Sequence, residues 1–278
     1  MNLETDNTEK ILNLIRAYID SDDPVDMIKH LFEAGAQYGH PTRAWNPAMK
    51  QFIHCVENKS HILDVRHTLR HAIIALEFLY SKVKQGAKVV FVCTDQQMAE
   101  MTAVEANRCG QHYITRRWRG GLLTNWSTTK KSIDQMHSNE KLLEEHGVAM
   151  KKKVRFSIQR SIDKARQSLG GIETMSELPN IVIISSLIKE CVAVDEVRRL
   201  QVLGVPIYSI GFADTNSNPQ KVDYPIPSND DSIRVIEFMF KLMANVVIEG
   251  LIDGGNEVDS TVGASMDAAL HTEGIATA

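Results

Sequence analysis

The sequence predicts an α/β fold: a parallel sheet covered by helices on both faces, into which an antiparallel helical hairpin is inserted. Three observations carry this. Lys88–Cys93, Asn180–Ile184 and Val205–Ile210 are short, nearly continuous apolar runs rich in β-branched residues, the pattern of strands buried on both faces. Segments of helical length and spacing lie between these runs, and strands alternating with helices imply parallel connections. From Trp126 to Gly171 the alternation stops. There Ile133, Met136 and Leu143, then Val154, Ile158, Ile162, Ala165 and Leu169, recur three, four or seven residues apart, as in two helices that turn around Glu145–Ala149.

The remaining elements follow in chain order. Ile11, Leu12, Leu14, Ile15, Tyr18 and Ile19 form a helical patch, and Ser21-Asp22-Asp23-Pro24 opens a second helix that carries Met27, Ile28, Leu31 and Phe32 and ends at Gly35. Gly39–Pro47 reads as loop, His61–Asp64 as a short strand, and Thr68–Lys84 as a helix closed by Gly86. Helices are expected over 95–109 and 189–203 and a short strand at His112–Thr115. Ser228 or Asn229 is the expected N-cap of a long last helix reaching Glu249, with Asp230 and Asp231 in its first turn. The chain then divides into an acidic extension (1–26), a sheet domain (27–126 and 172–250), the hairpin (127–171) and an acidic tail (251–278) whose small polar residues predict disorder.

The net charge of -4 conceals a separation along the chain. Of 31 basic and 35 acidic side chains, two and seven lie in residues 1–26 and none and six in 249–278, which leaves 29 against 22 between them. Residues 108–131 hold six Lys or Arg and no acid, and 147–170 hold seven against one. Such clusters neutralise phosphates whatever the overall charge. Solvated helix faces explain the second cluster as well as RNA does. No apolar run approaches the roughly 20 residues that span a bilayer, so no membrane partner is expected. The N-terminus has neither a signal-peptide pattern nor an Arg-rich transit peptide. Cys55, Cys93, Cys109 and Cys191 are far apart and form no CxxC pair, so buried free thiols in a reducing compartment are expected.

A doubly wound sheet invites an enzyme reading, because ligands bind beyond the carboxyl ends of its strands. Yet Cys93 is followed by Thr94-Asp95-Gln96-Gln97 and no glycine-rich phosphate loop. Asp214–Pro219 is placed for a ligand but is accounted for as an Asx-rich turn before proline. His67 and His71, with Asp64, lack a third histidine and read as a helix-surface pair. No GxSxG elbow or Cys–His pattern is present, and neither cofactor, metal nor small-molecule substrate is expected. What remains is Arg116-Arg117-Trp118-Arg119-Gly120-Gly121-Leu122-Leu123-Thr124-Asn125, followed by Trp126, Lys130 and Lys131. Arginine offers a planar donor fork to phosphate, tryptophan a stacking face, and glycine close backbone approach. By composition alone a nucleic-acid contact and a plain surface loop both stay open.

At this loop the chain resembles the bacterial and organellar family of small-subunit ribosomal protein S-two. The resemblance runs from about Ile28 to Gly250 through collinear motifs: Leu31–Gly35 with Tyr38-Gly39-His40 and Arg43–Pro47, His61–Asp64, Arg117–Gly121 with Leu123–Asn125, Ser168–Ile172, Asp214–Asn216, and Asp223–Pro227 with Asn229–Asp231. The resemblance implies a flavodoxin-like three-layer αβα domain with a helical hairpin. It also implies a non-enzymatic structural role in the small ribosomal subunit, with small-subunit rRNA and neighbouring ribosomal proteins as partners. On that view Arg116, Arg117, Arg119, Lys130 and Lys131 meet rRNA phosphates, Trp118 packs or stacks at the loop base, and Arg43 and Lys50 add a second contact. The chain departs from the family pattern at Ala48, at Cys93 and Asp95, and at Ser185-Ser186-Leu187-Ile188, each time losing charge or a turn. That drift, with Trp126 after Thr124-Asn125 as in alphaproteobacterial relatives, points to a mitochondrial ribosome, with a bacterial cytoplasm as the alternative. A mitochondrial chain without a transit peptide is then either organelle-encoded or begins at its mature end. The rivals are a flavodoxin-like enzyme using Asp95, Asp214 and Asn216, and a protein-interaction scaffold.

Overall fold

A computed structural model describes residues 9–13, 24–146 and 150–255. In chain order the elements are α1 (Pro24–Ala34), β1 (Tyr38–Pro41), β2 (Ile53–Glu57), β3 (Ser60–Leu63), α2 (Val65–Lys84), β4 (Val89–Val92), α3 (Ala99–Arg108), β5 (His112–Ile114), α4 (Trp126–His146), α5 (Lys152–Leu169), β6 (Ile181–Ile184), α6 (Cys191–Val202), β7 (Tyr208–Ala213), β8 (Tyr224–Pro227) and α7 (Ile233–Asp253). Strands β4 to β8 pair in parallel in the order β5-β4-β6-β7-β8, the doubly wound order of flavodoxin-like folds.

Alternation along the strands builds two cores. Val89, Phe91, Ile181, Ile183, Ile210, Phe212 and Ile226 face one side and pack with α2, α3 and α7. Val90, Val92, Val182, Ile184 and Ala213 face the other, against α6, the loop after β5 and the base of the hairpin. Because side chains alternate at period two, apolar residues at consecutive positions mean that both faces are covered, which makes the expected strands readable. Helix α7 is buried on most of its surface, as its nearly continuous apolar sequence requires. Phe240 in α7 meets Phe91 edge-on with ring centroids 5.4 Å apart, worth about 1 kcal/mol beyond its burial.

Helices α4 and α5 pack on each other, as expected for the inserted hairpin. Only Ile133 and Met136 of α4 and Ile162 and Leu169 of α5 are buried, and Arg166 reaches Glu140 at 2.7 Å. The turn expected at 145–149 falls partly, at 147–149, outside the described residues, as do the end of the N-terminal helical patch and the tail from 256.

Four expectations need correction. Strand β3 lies where a short strand was expected, but it joins β1, where the sequence suggests loop, and the unexpected β2 in a separate antiparallel sheet in the order β1-β3-β2, with Asn58 and Lys59, both at positive φ, turning β2 into β3. Strand β2 is exposed at four of its five positions, so no alternation announces it. The last helix is capped at Ser232, because Asn229 and Ser232 are drawn to the end of α1, where their side chains donate to the carbonyls of Gly35 and Ala34. Strand β8 occupies 224–227, where two prolines suit only a sheet edge. Of the cysteines, Cys93 and Cys109 are buried, and burial pushes the Cys109 thiol up to about 12. Cys55 and Cys191 are exposed, on the uncovered β2 and at the first turn of α6.

The hairpin returns to the sheet at Gly171, whose Cβ position lies 2.1 Å from the Tyr113 carbonyl oxygen on β5. Since backbone cannot yield there, Gly171→Ala is expected to cost about 3 kcal/mol in urea unfolding. Gly120→Ala, with nothing within 4 Å, is expected to cost under about 0.5 kcal/mol.

Candidate nucleic-acid interface

The basic loop runs from the carboxyl end of β5 to the first turn of α4. Its apolar residues turn inward: Trp118 is 6% exposed and, with Leu122 and Leu123, belongs to the core beneath α6. Trp118 therefore packs at the loop base, and its ring is not presented as a stacking face. Its neighbours Arg116, Arg117 and Arg119 are exposed. Among the described residues none of the three has a carboxylate within ion-pair distance, whereas Arg66, Arg108 and Arg166 are held by Asp64, Glu105 and Glu140.

The backbone of the loop is fixed by Glu196, a residue of α6 that is 7% exposed. Its carboxylate accepts from the backbone N–H of Gly121, from Leu123 at 3.0 Å and from Thr124 at 3.4 Å. Gly121 has φ +84°, a conformation in which a side chain would be strained. Asn125 then starts α4: its carbonyl accepts from the N–H of Thr128 and Thr129, and its side-chain oxygen from the Thr128 hydroxyl at 2.8 Å. Sequence reasoning missed Glu196, although a signal was there. Ala193, Val194, Val197 and Leu200 form the buried stripe of α6, and Glu196 lies within it. An acid inside an apolar stripe needs hydrogen-bond donors, and the loop amides supply them.

Further along, Lys130 is exposed and donates to the Ser176 carbonyl at 3.3 Å, and Lys131 is exposed. Arg43 and Lys50, also exposed, sit on two 3-10 turns of the segment between β1 and β2. That segment is anchored to the loop after β7, where His40 N–H donates to the Thr215 hydroxyl at 2.8 Å and Asn46 N–H to the Thr215 carbonyl at 2.7 Å. Gly39 is required there, since its Cβ would lie 2.5 Å from the Thr215 methyl. Strand β7 stands three strands from β5, about 14 Å at the usual spacing. The two basic groups thus lie along the same carboxyl edge of the sheet without merging. On the hairpin, Lys151, Lys152, Lys153, Arg155, Arg160 and Lys164 are all exposed, as are Val154 and Phe156.

The same edge holds the place where a doubly wound sheet takes a ligand, between the ends of β4 and β6 where strand order reverses. Here Glu190, 1% exposed, fills it. Its Oε1 accepts from Thr94 N–H at 2.7 Å and from the Thr94 hydroxyl at 2.9 Å, and burial raises its carboxyl above the usual range. Lys189 bridges Asp95 and Asp231 at 2.9 Å each and holds the Asp95 carboxyl below its usual range. Asp95 is thus engaged within the protein, as is Asp214, whose Oδ2 stands 2.9 Å from His40 Nδ1, and the enzyme reading loses the crevice it needs. A cavity of about 340 Å³ lies elsewhere, between α1 and α7, lined by His30, Glu33, Arg234 and Glu237 among others. His67 and His71 meet Phe52 in T-shaped ring contacts, with centroids 5.7 and 5.2 Å apart, and Asp64 caps α2, so those three do not form a site.

Residues 31–250 match the family model described as Ribosomal protein S2. The chain is similar to proteins named small ribosomal subunit protein uS2. That of Neorickettsia sennetsu is 40% identical over 81% of this chain and 74% of its own length. That of Acidiphilium cryptum is 41% identical over 81% and 86%, and that of Treponema pallidum 38% identical over 89% and 86%.

Glu196 gives the interface its own test. Glu196→Ala would leave three loop amides without an acceptor and is expected to cost about 3 kcal/mol, with Glu196→Gln costing less. Urea unfolding measures the loss, and hydrogen exchange at Gly121, Leu123 and Thr124 should accelerate while β6 stays protected.

Proposed function

The chain belongs to the ribosomal protein S2 family, and from that premise we propose that it is held on small-subunit rRNA by the loop Arg116–Asn125. It is a structural constituent of the small ribosomal subunit and not an enzyme. The observation that supports the rRNA contact is the combination of three exposed arginines, unpaired among the described residues, with a backbone fixed from within by Glu196 and by buried Trp118. A guanidinium on a preorganised loop loses less freedom on meeting phosphate than one on a loose chain. Arg116, Arg117, Arg119, Lys130 and Lys131 meet phosphates in this reading, Trp118 supports them from inside, and Arg43 and Lys50 make a second, separate contact. The exposed basic face of α5 runs along rRNA, and the apolar Val154 and Phe156 suit a neighbouring ribosomal protein.

For the compartment, the departures from the family pattern at Ala48, at Cys93 and Asp95, and at Ser185–Ser186, which lose charge or a turn, support a mitochondrial ribosome. The bacterial sources of the relatives favour the second reading, a bacterial cytoplasm. Mass spectrometry of mitochondrial small subunits from the organism is expected to recover the chain. Recovery from bacterial ribosomes instead would overturn the compartment and leave the ribosomal role intact.

The loop is tested by binding the purified chain to small subunits stripped of it, over a range of salt. Each phosphate contact contributes about 0.7 to 0.9 to the slope of log affinity against log salt. Changing Arg116, Arg117 and Arg119 together to Ala is expected to flatten that slope by about 2 to 3 and weaken binding throughout. An unchanged slope would remove the loop from the interface, and salt-insensitive assembly would favour docking on protein.

A further inference from the structure

The chain has three tryptophans, and two of them face inward: Trp118 is 6% exposed, and Trp126 packs against the same core. Trp45 is 38% exposed. Its ring meets that of buried His61 with centroids 5.4 Å apart, so the indole is backed by protein on one side and open to solvent on the other. The backbone beneath it is fixed. Asn46 N–H donates to the Thr215 carbonyl at 2.7 Å, the Asn46 side chain accepts from Ala48 N–H at 3.0 Å, and Pro47 lies between them. Around the ring, charge is mostly of one sign. Residues 41–63 carry Arg43, Lys50 and Lys59, all exposed, against the single acid Glu57. Thr42 N–H donates to the Lys59 carbonyl at 2.9 Å, which brings the turn between β2 and β3 beside Arg43. Among the described residues none of these three cations has a carboxylate within ion-pair distance, whereas Arg66 is held by Asp64.

We propose that Trp45 stacks on one unpaired base of small-subunit rRNA while Arg43, Lys50 and Lys59 meet phosphates of the same strand; this rests on the rRNA binding proposed above. In a paired A-form helix the base faces are already covered by their neighbours, and a tryptophan finds only edges and backbone. An unpaired base offers a bare aromatic face, and covering it removes apolar surface from water on both partners. An apolar protein surface would also cover the indole, but it would set three cations against a partner without charge to meet them. A single strand of RNA supplies the flat face and the negative charge together. The two basic groups on the carboxyl edge then read different things. The loop Arg116–Asn125, whose Trp118 faces inward, meets backbone charge alone, and the segment around Trp45 distinguishes unpaired RNA from paired.

The test binds the full chain, Trp45→Leu and Trp45→Phe to small subunits stripped of this protein, over a range of salt. Stacking on one base contributes a factor of about 5 to 100 in affinity. Trp45→Leu is therefore expected to bind at least about fivefold more weakly at every salt concentration, and Trp45→Phe within about threefold of the parent. Because stacking releases no counterions, the slope of log affinity against log salt should not change in either variant. Ultraviolet irradiation of subunits carrying the parent chain is expected to join Trp45 to a nucleotide, which mass spectrometry of the digest identifies; this readout needs no variant to fold. Unchanged affinity in Trp45→Leu, equal binding by the Leu and Phe variants, or a crosslink to a peptide or to nothing would overturn the proposal. If the parent keeps its salt slope, such a failure leaves the rRNA reading standing. A parent that binds without salt dependence would bring down both.

Discussion

The carboxylate of Glu196 accepts hydrogen bonds from the backbone of Gly121, Leu123 and Thr124, and the placement of the whole basic loop follows from it. A buried carboxylate without donors is costly, and so are buried amides without an acceptor; each solves the other's problem. With the backbone pinned to α6, Trp118, Leu122 and Leu123 drop into the core, and the arginines flanking Trp118, Arg116, Arg117 and Arg119, turn to solvent. Asn125 then starts α4 from a fixed point, so the hairpin leaves the sheet in a direction set by the same contact. Core packing and the presentation of charge are here one arrangement.

The fold is one that elsewhere binds small ligands at the carboxyl ends of its strands, and this chain has closed that option with its own side chains. Glu190 occupies the reversal point and is held by Thr94, while Lys189 ties Asp95 to Asp231. The carboxyl edge is thereby converted from a crevice into a surface. What a surface can offer is charge and shape, and the two basic groups along this edge supply the charge. A structural member of the small subunit needs no more from a doubly wound sheet than a rigid edge on which to hold them.

Much of this was readable in the sequence, for physical reasons that also explain the failures. Strands β4, β6 and β7 announce themselves because burial on both faces demands unbroken apolar runs. Strand β8 does not, since Pro225 and Pro227 argue against a strand unless it lies at an edge, and edge position is a tertiary fact. Strand β2 carries no pattern because little covers it. The start of α7 was misplaced because Asn229 and Ser232 satisfy α1, almost 200 residues earlier in the chain, instead of their own helix. The basic loop stood out, but composition did not reveal that its tryptophan faces inward; burial depends on α6, which arrives some 75 residues later. Glu196 was legible in principle as an acid in an apolar stripe. Glu190 was not, because its partner Thr94 is 96 residues away and nothing local marks either.

On the proposed reading, the charge distribution lets a chain of net charge -4 meet a polyanion. Screening confines the influence of an exposed charge to about 10 Å at moderate salt, so what an approaching phosphate feels is the local group and not the sum over the chain. Locally, the loop presents guanidinium groups with no carboxylate at ion-pair distance among the described residues, whereas Arg66, Arg108 and Arg166 have theirs. An arginine already paired must surrender one partner to gain another, and the exchange yields little. An unpaired one gives up only water and counterions, whose release favours binding. The loop therefore carries its charge in the form that phosphate uses best. Because Glu196 holds the loop from below through backbone amides alone, the guanidinium groups stay free to do so.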